Sequence, residues 1–215
     1  MKKNEIRFTV GIPEDHRDAA VQLYEDAFGA KFSVAIKERK KRLALLKASL
    51  SLDFAIGAIH QDKLLGLAGF STKGGSLTDG ITVKRLLRQL GIWRGIRAIL
   101  VFSLYDRQLT AGELMMDGIS VNEASRGKGI GSNLLDELKS YAIRNGFSTI
   151  RLDVIDTNPD ARRLYEKQGF VAKKTEYFGF LRFFLGFSAS TTMVLTLRTD
   201  STSERIVPNQ GDNDE

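Results

Sequence analysis

Ser125-Arg126-Gly127-Lys128-Gly129-Ile130-Gly131-Ser132 is the stretch on which the rest of the chain is organised. The residues before it, LMMDGISV from Leu114 to Val121, are apolar and branched enough to read as a strand. After it, Ile130, Leu134, Leu138 and Tyr141 recur at helical spacing until Asn145-Gly146, a helix C-terminal signal. A strand therefore runs into a glycine-rich turn that opens a helix. Glycines at alternate positions let the backbone bend tightly and approach a ligand closely. The first amides of a helix have no intrahelical acceptor and sit at the positive end of its dipole. With Arg126 and Lys128 they form a pocket suited to a diphosphate. Lys128 is not followed by Ser or Thr, which excludes the mononucleotide phosphate loop GxxxxGK[ST]. The dinucleotide pattern GxGxxG fails at Ser132. What fits is RxxGxG, Arg126 to Gly131.

The next segment supplies a second motif. Phe147 to Val154 reads as a strand, with Ile150, Leu152 and Val154 on one face. Asn158 then caps a helix, Pro159 takes its first position and Gly169 closes it, within NPDARRLYEKQGF. With both motifs in hand, the chain resembles the GNAT superfamily of acyl-CoA-dependent N-acyltransferases, over most of Phe54 to Phe170 in element order. RGKGIGSNLL is similar to its pyrophosphate motif and NPDARRLYEKQGF to the motif that follows.

The resemblance implies an α/β (α+β) fold: a mixed, mostly antiparallel sheet of about seven strands with flanking helices, its fourth and fifth strands parallel and splayed. It implies acetyl-CoA as co-substrate and a primary amine, on a small molecule or a peptide, as acceptor. The pantetheine arm would pair with Ile119, Ser120 and Val121, where Gly118 marks a candidate bulge. Arg126, Gly127, Lys128, Gly129, Ile130, Gly131 and Ser132 would hold the diphosphate. Asn158 matches the residue that contacts the arm, with helix capping as its competing role. Tyr165 matches the position of the acid that protonates the departing thiolate. It also lies on the helix's apolar stripe with Ala161, Leu164 and Gln168, where packing is the plainer role. The position of the usual base carboxylate falls on Met115. Asp117 is favoured instead, directly or through water, with Glu113 on the same strand face and structural hydrogen bonding as the alternative. Freeing a lysine-like amine at pH 7 costs about 4.6 kcal/mol and an α-amine only about 1 kcal/mol, so an acceptor of low pKa needs little base.

Composition narrows the chemistry further. With 215 residues, 42% hydrophobic and 27% charged, the chain suits one globular domain. That domain is expected over residues 1–198, with a helical insertion at 71–112 and a polar, disordered tail at 199–215. The chain contains no cysteine, so neither a thiolate metal site nor a cysteine acyl-enzyme is available, and acyl transfer would be direct within a ternary complex. His16 and His60 lie far apart, without ligand spacing, and no metal is expected. No signal-peptide core and no run of about 20 apolar residues stands out, and the expected location is the cytoplasm. The net charge of +6 suits a polyanionic cofactor. The basic run Lys37, Arg39, Lys40, Lys41 and Arg42 lacks interleaved aromatics and reads as a solvated helix face rather than a nucleic-acid surface.

The remaining elements follow from periodicity. Ile6, Phe8 and Val10 alternate as a first strand, and a helix striped by Ala20, Leu23, Tyr24 and Ala27 is expected to end at Phe28-Gly29-Ala30. A second helix is expected from Ser33 to about Leu50. Phe54 to His60 and Lys63 to Phe70 read as a hairpin around Gln61-Asp62, while Ala172 to Phe178 and Thr191 to Leu197 read as the last strands. Phe28 and Phe32, and the aromatic FGFLRFFLGF connection, would lie near the acceptor by resemblance, with core packing as the alternative. Ile81 to Tyr105 reads as helical, broken near Gly91 and Gly95, and apolar almost all round in its second part. Three readings of it stand in order: a lid over the acceptor cleft, a homodimer contact, and, last, an interfacial membrane helix. From a different functional class, a non-catalytic acyl-CoA-binding sensor remains an alternative to the enzyme.

Overall fold

The computed structural model describes residues 5–33, 35–93, 95–96, 109–179, 182 and 186–197. Its elements are β1 Arg7–Val10, α1 Arg17–Ser33, α2 Arg39–Ser49, β2 Ala55–His60, β3 Lys63–Thr72, β4 Gly75–Ser76, α3 Val83–Leu90 and β5 Glu113–Val121. They continue with α4 Ile130–Arg144, β6 Thr149–Ile155, α5 Pro159–Lys167, β7 Val171–Tyr177 and β8 Ala189–Thr196. The order across the sheet is β1-β2-β3-β5-β6-β8-β7, with β4 beside β3. All pairs are antiparallel except β5–β6. The two-residue β4 raises the expected seven strands to eight.

The alternation of side chains along each strand divides the core into two layers. On one face Phe70, Leu114, Met116, Ile150, Leu152 and Met193 pack against Leu134, Leu135 and Leu138 of α4 and Tyr165 of α5. On the other face Ala55, Ile59, Leu64 and Leu67 pack against Ala20, Val21, Leu23 and Tyr24 of α1 and Leu46 of α2. Strands β2 and β3 are therefore apolar on both faces, as the centre of a sheet between two helix layers requires. The β2–β3 hairpin turns on Gln61 and Asp62, both at positive φ (46° and 61°), the left-handed pair that matches strand twist.

The helix boundaries correct two expectations. Helix α1 runs past Gly29 to Ser33, because Glu25 fills the space where a side chain at 29 would sit. Helix α2 begins at Arg39 rather than Ser33. Arg42 is drawn inward rather than solvated: its Nε and Nη2 donate to Glu25 Oε1 (2.9 and 2.6 Å), and its Nη1 donates to the carbonyls of Ile36 and Lys37 (2.8 Å each). One guanidinium thus neutralises a buried carboxylate and holds the link between the first two helices. Of the basic run, Arg39 pairs with Asp26 at 2.9 Å and Lys41 with Glu38 at 2.7 Å.

In the insertion, α3 stops at Gly91, where φ is +77°. Residues 97–108, which include the rest of the expected apolar helix, lie outside the described residues, as do most of the aromatic connection after Phe178 and the tail at 199–215.

Candidate active site

Strand β5 pairs with β6 only at Glu113–Thr149, Leu114–Ile150 and Met115–Arg151. Its pairing with β3 continues to Val121. Among the described residues, then, β5 from Met116 onward has a strand on one side alone, and a gap opens between two strands that start as neighbours. The register also shows which groups face that gap. Asn122 N–H donates to Leu65 O at 2.8 Å, so Ser120 and Gly118, in phase with Asn122, direct their main-chain groups at β3. Ile119 and Val121 fall in the alternate pairs and turn their amides and carbonyls toward β6. Arg126 Nε donates to Val121 O at 3.3 Å from that side. Of the three residues expected along the arm, Ile119 and Val121 therefore present main chain to the gap. Ser120 does not: its hydroxyl donates to Leu23 O at 2.9 Å, tying β5 to α1.

The cause of the opening is local. Gly69 pairs with Gly118 but Phe70 pairs with Met116, so Asp117 is the extra residue of a β-bulge. The bulge turns both Asp117 and Gly118 to the α1 face. A Cβ at Gly118 would lie 2.2 Å from Phe28 Cζ, so only glycine lets the ring of Phe28 close over the strand. Phe28 and Phe32 pack in turn on Tyr24, at centroid distances of 4.7 and 6.0 Å. The parity change after the bulge sends Ile119 and Val121 into the opposite layer.

Asp117 accepts a hydrogen bond from Ser71 Oγ at 2.6 Å, from the neighbouring strand. Its charge, together with burial, pushes the Tyr24 phenol far above its ordinary range, with burial the larger cause. Glu113, at the closed end of the gap, is held by Thr110 N–H (3.0 Å), Thr110 Oγ1 (2.8 Å) and Arg151 Nη1 (3.3 Å). That set of partners makes it a structural carboxylate. Arg151 also donates from Nη2 to Met115 Sδ at 3.6 Å. Sequence reasoning missed Ser71, Tyr24 and Arg151. Alternation alone sets Arg151 opposite Ile150 and Leu152, but the other two emerge only from the β3–β5 register and the seating of α1.

On the other side of the gap lies the glycine turn. Gly127 and Gly129 have φ of +74° and +76°, and nothing lies within 4 Å of a Cβ built on either. Gly129 is the N-cap of α4 and has no side-chain cap; the first helical bond is Asn133 N–H to Gly129 O. The amides of Gly129, Ile130, Gly131 and Ser132 thus have no intrahelical acceptor, and the space around Gly127 and Gly129 is open. Gly131 brings the turn against the gap: a Cβ there would lie 3.5 Å from Leu164 and 3.9 Å from Ile119 and Val121. Arg126 and Lys128 are exposed, and Lys128 Nζ donates to Ala124 O at 3.0 Å. A cradle of this shape and charge fits a diphosphate.

Helix α5 closes the arrangement. Asn158 Oδ1 accepts from Ala161 N–H at 3.2 Å, so the capping role is realised and its side-chain NH2 is the group left to meet a ligand. Tyr165 is the buried residue of the helix, with its ring 5.9 Å from that of Phe170, and burial raises its pKa well above the ordinary phenol value. It stays protonated at neutral pH and is a donor.

The sequence profile of the Acetyltransferase (GNAT) family matches residues 17–170. This chain belongs to the GNAT acetyltransferase family. The match takes in the glycine turn, the splayed strands and α5. Solved structures with the same fold include an N-acetyltransferase from Staphylococcus aureus Mu50, with 17% identity, a TM-score of 0.57, and 90% of this chain and 99% of that one covered. A GCN5-related N-acetyltransferase from Kribbella flavida gives 18% identity and a TM-score of 0.58, with 89% and 98% covered. The ribosomal-protein-S18-alanine N-acetyltransferase from Escherichia coli gives 14% identity and 0.52, with 93% and 98% covered. No curated protein sequence matches the chain. Among the described residues of this GNAT protein, no helix is long and apolar enough to cross a membrane.

Proposed function

We propose that this GNAT protein transfers the acetyl group of acetyl-CoA to a primary amine by direct attack in a ternary complex. The observation that carries the reading is the gap between β5 and β6, with the main chain of Ile119 and Val121 on one wall and the uncapped N-terminus of α4 at Gly129 at its mouth. An extended pantetheine arm has the shape and hydrogen-bonding groups to pair with such a strand edge. The diphosphate would meet the α4 amides with Arg126 and Lys128.

In the transfer the amine nitrogen attacks the thioester carbonyl carbon, an N–C bond forms and the C–S bond breaks. The main-chain N–H groups of β5 that face the gap would donate to the carbonyl oxygen as its charge develops. Tyr165 gives a proton to the departing sulfur and recovers one from solvent, while Asp117, oriented by Ser71, takes the proton released by the nitrogen. The net products are an amide and the free thiol of CoA.

A panel of small amines and N-terminal peptides, read by release of free thiol, tests the activity. Tyr165→Phe keeps the ring packing and removes only the proton donor, so kcat at saturating acetyl-CoA should fall about 10²-fold or more with the melting temperature unchanged. Full turnover by Tyr165→Phe would remove the residue from the chemistry. Calorimetric binding of acetyl-CoA without thiol release for any amine would favour the non-catalytic sensor.

A further inference from the structure

Helix α3 and the turn after it stand out by composition. From Gly80 to Tyr105 the sequence has no Asp or Glu, and it carries Lys84, Arg85, Arg88, Arg94 and Arg97 among long apolar side chains. Helix α3 is fixed to the body on one side. Leu86 is buried with Ala35, Ile36 and Leu45, and Arg85 Nη1 donates to the carbonyl of Gly80 (2.9 Å) and to Ser49 Oγ (3.3 Å). The segment after Gly91 is fixed in turn: Gly95 N–H donates to Gly91 O at 2.8 Å, and a Cβ at Gly95 would lie 2.8 Å from Leu87.

The outward side of this scaffold is apolar. Trp93 is 87% exposed, Ile92 68%, Val83 54% and Ile96 44%. Lys84 and Arg88, one helical turn apart, are exposed on the rim of the same arc. An indole and branched aliphatics standing in water beside exposed basic side chains are costly to leave uncovered.

We infer that the surface formed by Val83, Lys84, Arg88, Ile92, Trp93 and Ile96 docks on an anionic lipid bilayer, with Trp93 and Ile92 entering the headgroup boundary and Lys84 and Arg88 meeting lipid phosphates and carboxylates. Trp is at home at that boundary, where its ring is apolar and its N–H finds water. Basic residues beside an apolar face add the attraction to anionic lipid. A second copy of the chain fits less well. Two-fold contact through this patch would bring two like-charged surfaces together, and no acidic residue between 80 and 105 offsets Lys84 and Arg88. A lid would turn its apolar side chains toward the cleft, whereas Ile92 and Trp93 point outward. Arg85 is committed to Gly80 and Ser49, which leaves Lys84 and Arg88 as the exposed basic residues of α3.

Trp93 is the only tryptophan of the chain, so its fluorescence reports on this surface alone. The full chain is titrated with vesicles of phosphatidylcholine containing about a third phosphatidylserine. The expected results are a blue shift of emission, quenching by lipids brominated in their acyl chains, and binding at least tenfold weaker to phosphatidylcholine alone. Lys84→Gln with Arg88→Gln should weaken binding about thirtyfold, from roughly fivefold for each basic residue near the surface. No shift at millimolar lipid overturns the inference. So does equal binding to neutral vesicles, a blue shift that grows with protein concentration without lipid, or an equal response to polyglutamate, which has no acyl chains. The readout is independent of catalysis and stands or falls apart from the acetyltransferase reading.

Discussion

Replacing Gly129 by alanine separates ligand binding from folding at the glycine turn. Gly129 has φ of +76°, so any other residue there bears the left-handed penalty of about 1–2 kcal/mol. In a chain of this size, that lowers the melting temperature by about 2–8 °C and leaves the fold intact. No protein atom lies within 4 Å of the new Cβ, so no packing cost is added. A diphosphate on the α4 amides would meet that methyl, however, and losing one charge-assisted hydrogen bond costs about 1.5–3 kcal/mol. The expected result is a rise in the acetyl-CoA Kd of about ten- to a hundredfold. Gly146 is an internal control. It follows the other end of the same helix, has φ of +74°, and is equally open around a built Cβ. Gly146→Ala should match the loss of thermal stability and leave the Kd unchanged. Calorimetric titration beside melting curves of both variants decides the matter. If Gly129→Ala binds acetyl-CoA like the parent, or both variants lose affinity equally, the glycine turn is not the diphosphate site.

Asp117→Asn should lower kcat/KM for amine acceptors at least tenfold and flatten the acid side of the pH–rate profile, since the amide still accepts from Ser71 but takes no proton; an unchanged profile would exclude Asp117 as the base. Arg42→Ala leaves the Glu25 carboxylate buried without its partner, and about 3–5 kcal/mol of lost stability should lower the melting temperature by about 6–20 °C. A melting temperature within 2 °C or so of the parent would mean that Arg39, at 3.8 Å, replaces it. Tyr24 and Tyr165 both have phenol pKa values raised by burial, so the folded state retains protons that the unfolded state loses above about pH 10. Their contribution to stability is complete below that pH and declines as pH rises through the folded-state values. Each adds a slope of up to about 1.4 kcal/mol per pH unit, and urea unfolding of Tyr24→Phe from pH 9 to 11 should show a shallower alkaline loss. An identical slope would contradict the burial of Tyr24.

What could be read from the residues alone was whatever is written locally. The turn from Ser125 to Ser132 declares its backbone through its glycines, and the helix after it declares its length through the spacing of Ile130, Leu134 and Leu138. Asn158, Pro159 and Gly169 bracket α5 by the chemistry of helix ends, and the structure places those ends accordingly. Helix boundaries were misplaced where a distant partner intervened. Gly29 reads as a stop signal, yet the Glu25 side chain, held by the distant Arg42, lies over it and the helix continues to Ser33.

Tertiary structure alone decided which groups face one another across strands and layers. That Asp117 is the bulged residue, that Ser71 donates to it, and that Ile119 and Val121 rather than Ser120 turn their main chain to the gap, all follow from the offset of β3 on β5. A register is a relation between segments some 50 residues apart, and a slip of one residue exchanges the two faces, so no local pattern encodes it. Likewise the exposure of Trp93 is not a property of the residue. Leu86 and Arg85, a few residues before it, have the same kind of local sequence around them, but they meet Leu45 and Ser49 of α2, whereas Trp93 is 87% exposed. Local chemistry set the elements and the glycine cradle, and long-range packing set what each of them faces.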